Sequence, residues 1–112
     1  MVDIIEKARQ LAEDIAASPQ AQAVKQAREK LNANPEAAKL YKEFQQHARK
    51  VAELEAANKP IEVEDKQKLR QLQEQLVAND EVKELTSAQV EYVDLMRQVN
   101  QALGAKLQEL ET

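Results

Sequence analysis

The chain has 112 residues, with one glycine, three prolines, no cysteine and no tryptophan. Sixteen basic and 20 acidic residues leave a net charge of −4 and a pI near 5.1. These figures exclude a disulfide scaffold, a cysteine-held zinc or iron–sulfur site and, with His47 the single histidine, a histidine-rich metal site. The acidic balance argues against direct nucleic-acid binding. No apolar run reaches 18 residues, so no membrane-spanning helix is expected. Met1-Val2-Asp3 opens straight into a charged helical pattern, so no signal peptide is expected and the cytoplasm is the expected location. A charged fraction of 32% leans toward disorder, but a hydrophobic fraction of 43%, much of it at helical spacing, leans toward a folded all-α chain.

Breakers cut the chain at Ser18-Pro19, Asn34-Pro35, Asn58-Lys59-Pro60 and Asn79-Asp80. At the first two, a capping side chain precedes a proline at the first helical position, where no amide hydrogen is needed. Asn79 repeats the device, followed by Asp80 and Glu81, which suit the positive end of a helix dipole. Five helices are predicted, over residues 2–17, 19–31, 35–57, 63–78 and 80–109, forming one elongated antiparallel bundle domain over residues 1–112. Asn58–Glu62 is the one expected loop of any length. Whether the chain kinks or turns fully at Pro19 and Asn79 stays open at this level. The regular breaks argue against one long coiled coil.

In the first helix Ile4, Ala8, Leu11 and Ile15 fall at i, i+4, i+7 and i+11, a clean apolar stripe. The second is weaker, with Val24, Ala27 and Leu31. The third carries Leu40, Phe44, Val51 and Leu54, flanked by Ala37, Tyr41 and Ala48. The fourth offers a narrow seam of Leu69, Leu72 and Leu76. The fifth carries Val82, Leu85, Tyr92, Met96, Val99, Leu103, Leu107 and Leu110, widened by Ala88, Val93 and Leu95 to an apolar arc of about 160°. At 1.5 Å per residue this helix is about 45 Å long, whereas a compact globule of this size is about 35 Å across. Its surplus length and wide arc predict self-association into a dimer or larger homo-oligomer. Gly104 reads either as a site of close helix crossing or as the start of fraying.

Little catalytic chemistry is written in this pattern. His47 sits at the edge of the third helix's stripe with no serine or cysteine motif beside it, and reads as a boundary histidine. Glu62, Glu64 and Asp65, and again Asp80, Glu81 and Glu84, cluster at predicted helix starts, where acids favour the dipole. No EF-hand loop exists, and one histidine cannot supply a di-iron bundle. Basic residues are interspersed with Glu and Gln, no glycine-rich phosphate loop exists, and Tyr41, Phe44 and Tyr92 make a poor stacking platform.

The order Ile15-Ala-Ala-Ser-Pro19, Asn32-Ala-Asn-Pro-Glu-Ala-Ala-Lys-Leu-Tyr-Lys-Glu-Phe44, Leu76-Val-Ala-Asn-Asp-Glu-Val82 and Ala88-Gln-Val-Glu-Tyr-Val-Asp-Leu-Met-Arg-Gln-Val-Asn-Gln-Ala-Leu-Gly104 resembles the YlbF/YmcA family, in particular its YheA-like branch, across nearly the whole chain. The resemblance implies an all-α, oligomeric, non-enzymatic bacterial protein. It implies a part in regulating competence, sporulation and biofilm formation, through complexes that influence ribonuclease-dependent messenger RNA maturation. Some relatives bind an iron–sulfur cluster through cysteines; with no cysteine here that property does not carry over.

These readings combine into an adaptor that engages regulatory protein partners and needs no cofactor or metal. The residues expected to form core and self-association surface are Leu40, Phe44, Val51, Tyr92, Met96, Val99 and Leu103. The alternative is a structural or chaperone-like oligomer that holds other chains by apolar helix faces. A third reading, an enzyme, would need a metal held by carboxylates alone.

Overall fold

The computed structural model describes residues 3–111. Five α-helices follow one another: α1 (Ile4–Ala16), α2 (Pro19–Ala33), α3 (Pro35–Ala56), α4 (Val63–Ala78) and α5 (Asp80–Leu107), ending in a 3-10 turn at Gln108–Leu110. No strand occurs among the described residues.

The breaks arise where capping chemistry places them. Asp3 starts α1 by accepting from the Glu6 amide at 2.7 Å. The helix therefore begins at Ile4; Val2, expected as its first residue, lies outside the described residues. Ser18 Oγ donates to the Ile15 carbonyl at 2.6 Å and accepts from the Ala21 amide at 3.2 Å, closing one helix and opening the next. The Asn34 side chain accepts from the Ala37 amide at 3.2 Å, with Pro35 in the first helical turn. Asn79 accepts from the Val82 amide at 3.1 Å. Its ψ of 127° is extended, so α4 and α5 are separated by a full break in helical backbone confined to one residue. α2 runs two residues beyond its expected end, to Ala33, because the proline restricts only the residue immediately before it.

α3 closes on a Schellman motif. The Asn58 amide donates to the Glu55 carbonyl at 3.1 Å and the Lys59 amide to the Leu54 carbonyl at 2.9 Å. This geometry needs a left-handed residue, and Asn58 supplies it at φ 55°. The chain then reverses, and α3 packs against α4.

Two compact units divide the chain: residues 28–85 form one, and residues 1–27 with 86–112 the other. The 28–85 unit holds most of the core. Leu31, Ala37, Val51, Leu72, Leu76, Val82 and Leu85 are buried there, and Leu85 is the largest side chain that is fully enclosed. In the other unit only Ala27 and Ala88 are buried among the described residues, and α1 has no buried residue. A β-carbon at Gly104 would meet nothing within 4 Å, so no close helix crossing within the chain accounts for that glycine.

Asn58→Val should cost about 1–2 kcal/mol in chemical denaturation, because a β-branched residue is strained in the left-handed region. Asn58→Gly should be neutral or stabilising. Equal stability of all three proteins would contradict the motif.

Candidate interaction surface

The polar groups of the 28–85 unit tie helices together. Lys30 and Glu84 pair at 2.8 Å, linking the end of α2 to the start of α5. Asn34 Nδ2 donates to Glu81 Oε1 at 3.0 Å, so the residue that caps α3 also holds α5. An open hollow lined by Lys30, Ala33, Asn34, Asp80, Glu81 and Glu84 lies among these groups, with a lysine already neutralised by Glu84.

His47 sits between α3 and α4. Its Nε2 lies 2.8 Å from the Asp65 carbonyl, so Nε2 carries the proton and donates. Asp65 turns its carboxylate to Lys50 Nζ at 3.1 Å and lies 4.0 Å from His47 Nε2. Both His47 and Asp65 are largely covered, at 16% and 14% side-chain exposure. The geometry is that of a polar clasp across a helical hairpin, with the donor committed to a backbone carbonyl. No group of three His, Cys, Asp or Glu residues converges on a metal-sized site among the described residues.

The other unit presents a different surface. Of ten large aliphatic side chains left exposed among the described residues, eight belong to it: Ile4, Ile5 and Leu11 on α1, and Val90, Val93, Leu103, Leu107 and Leu110 toward the C-terminus. Ile4 is 82% exposed and Leu110 81%. The stripe of α5 changes cover along its length. Val82, Leu85 and Ala88 are buried, Tyr92, Leu95, Met96 and Val99 are half-buried, and every residue from Asn100 to Glu111 is exposed.

The seven residues expected to form core and self-association surface therefore divide. Leu40, Phe44 and Val51 stand on α3 in the 28–85 unit, the first two half-buried and Val51 buried. Tyr92, Met96 and Val99 stand half-buried on α5 in the other unit, and Leu103 is 49% exposed. Expectation omitted the α1 stripe, although its i, i+4, i+7, i+11 spacing was the signal. On the opposite face of α5, Asp94 accepts from Arg97 Nη2 at 2.7 Å and Gln98 Nε2 at 2.8 Å. These bonds, Arg97 first, hold its carboxyl below the usual carboxylate range.

The family described as "Control of competence regulator ComK, YlbF/YmcA" matches residues 4–108. The chain belongs to the YlbF/YmcA family. Relatives within reach by sequence are the UPF0342 protein of Lactobacillus helveticus (strain DPC 4571), 27% identical over 98% of this chain and 95% of the relative, and the UPF0342 protein of Lactobacillus gasseri (strain ATCC 33323), 24% identical over 98% and 94%. Among solved structures, a protein of unknown function (DUF964) from Bacillus stearothermophilus superposes with a TM-score of 0.82 at 19% identity, covering 96% of this chain and 95% of that one. Bacillus subtilis RicA, solved in complex with RicF, superposes with a TM-score of 0.75 at 22% identity, covering 97% and 96%. At these identities the two structures show the fold that a YlbF/YmcA chain shares with them. No helix among the described residues is long and apolar enough to cross a membrane.

His47→Phe should lower stability by about 1 kcal/mol, measured by urea denaturation, through loss of the bond to the Asp65 carbonyl. An unchanged midpoint would mean that the clasp contributes nothing. Arg97→Ala should raise the Asp94 carboxyl toward its ordinary value in an NMR titration. Because the folded carboxyl is depressed, its stabilising effect is present above the ordinary value and is lost as pH falls through the folded one. An unmoved Asp94 titration would contradict Arg97 as its main cause.

Proposed function

We propose that this YlbF/YmcA chain is a non-enzymatic adaptor. It self-associates through apolar helix faces and engages other proteins in the cytoplasm, in the regulation of bacterial development. The observation that carries this reading is the uncovered aliphatic surface on α1 and the end of α5. Eight exposed large aliphatic side chains, in a unit whose buried residues among those described are two alanines, are surface that water disfavours and a protein surface would cover. The family's description places its members in control of a competence regulator, and RicA's complex with RicF supports a protein as partner. Ribonuclease-dependent messenger RNA maturation is the finer process proposed, with competence, sporulation and biofilm formation downstream of it. We further propose that residues 1–112 unfold as a single cooperative domain.

The same exposed surface supports the alternative, a chaperone-like oligomer that holds other chains. The two readings part on hydrophobic dye binding by the isolated protein: weak for a closed oligomer, strong for a holdase.

Light scattering across a concentration series tests self-association directly. A dimer or larger species supports the reading and a monomer at all concentrations overturns it. Met96→Asp, which buries a charge on the half-covered stretch of α5, should lower folding stability by about 2 kcal/mol or more and reduce the mass. Leu103→Asp, on the exposed stretch, should reduce the mass while leaving the melting curve of the diluted protein unchanged. Unchanged mass in both variants would remove α5 from the interface.

A further inference from the structure

We infer that α1 is a self-pairing helix: it docks antiparallel against α1 of a second copy, about a two-fold axis that crosses it between Arg9 and Gln10. The inference rests on the self-association proposed above and adds its surface, orientation and register.

α1 is divided cleanly. Seven of its thirteen residues are Ile, Leu or Ala, and on a helical wheel they occupy an arc of about 140°, with every charged residue outside it. No residue of this helix is buried, although Ile15 at its end is half-covered. A helix so divided and so open lacks its counterpart.

The counterpart is specified by the spacing. Ile4, Ala8, Leu11 and Ile15 follow gaps of four, three and four, the d-a-d-a seam of a coiled coil. That sequence of gaps reads the same in both directions. Turned antiparallel about the stated axis, Ile4 meets Ile15 of the second copy and Ala8 meets Leu11 of the second copy. Each layer then pairs equals or sets a small side chain against a large one, as an isologous interface requires.

The flanks agree. Lys7 and Asp14 border the seam on one side, and in this register each lies beside the other's copy, giving two opposite-charge pairs by symmetry. Both are exposed, and among the described residues the one partner of Asp14 is the neutral amide of Gln10 at 3.2 Å. On the other side Ile5 and Ala12 extend the apolar contact. A parallel pairing would instead set the Lys7 and Asp14 flank of one helix against the apolar Ile5 and Ala12 flank of the other, with no charge pair.

The area is of the order that a dimer needs. A large aliphatic side chain carries roughly 60–120 Å² of apolar surface. The eight in this unit are 38–82% exposed and therefore offer roughly 300–600 Å² per chain. A standard interface takes about 800 Å² from each partner, about 65% of it apolar in homodimers. Two heptads alone would pair weakly, so the open end of α5 in the same unit supplies the remainder.

Cysteine pairing tests the register, since the chain has no cysteine of its own. Positions 4 and 15 stand about 16 Å apart along one helix, beyond the reach of a disulfide. An equimolar mixture of Ile4→Cys and Ile15→Cys should form the mixed disulfide under mild oxidation, while each variant alone should cross-link at least tenfold less. Efficient cross-linking by single variants would mean a parallel pair and overturn the inference. No cross-linking from a protein that light scattering shows to be dimeric would also overturn it, leaving self-association intact on another surface. A monomeric native protein would overturn both. Independently, Lys7→Glu should weaken dimerisation about tenfold at low salt, and the double variant Lys7→Glu/Asp14→Lys should restore it. Failure of the double variant to recover would reject the charge pairing and with it the register.

Discussion

The apolar stripe of α5 begins enclosed at Val82, Leu85 and Ala88 and ends in the open at Leu103, Leu107 and Leu110. Helical geometry keeps this stripe on one face over seven turns, so the chain carries a continuous apolar surface of which it covers only the first part. The compact core of residues 28–85 depends on the enclosed end, where Leu85 is the largest side chain fully removed from water. The open end leaves the other unit with two buried alanines among its described residues. Since burying a large aliphatic side chain is worth about 1.5–3 kcal/mol, stability within one chain is concentrated at residues 28–85.

Polar side chains in this protein are spent on direction. Asp3, Ser18, Asn34 and Asn79 each cap a helix, and Asn58 ends one in the left-handed region. Asn34 does two jobs, because its oxygen caps α3 and its nitrogen reaches Glu81 at the start of α5. Such bonds add about 1 kcal/mol each, less than a buried leucine. They fix where one helix stops and the next begins, and so decide which faces meet.

Helix positions were legible in the sequence because the breaks are made by local chemistry. A Ser or Asn before Pro, or before an acidic first turn, states its geometry without tertiary help, and α2, α3 and α5 begin where such residues put them. Small departures have local causes: Asp3 takes the cap at the start of α1, and the last turn after Leu107 tightens to a 3-10 turn. Coverage was not legible. Periodicity says which face of a helix is apolar and is silent on what lies against it. The cleanest stripe, on α1, lies exposed, while the narrow seam of α4 supplies the buried Leu72 and Leu76. Self-association was expected from the length and arc of α5, on which Leu103 is 49% exposed; the α1 stripe needed a structure to show it uncovered.

An exposed stripe in one chain and a missing partner in its twin are the same fact when the stripe reads alike in both directions. A two-fold pair needs only one surface, so a short helix can specify its own complement through the order of its residues. The pairing would then stabilise the folded chain by mass action, with folding and assembly linked through the occupancy of one site.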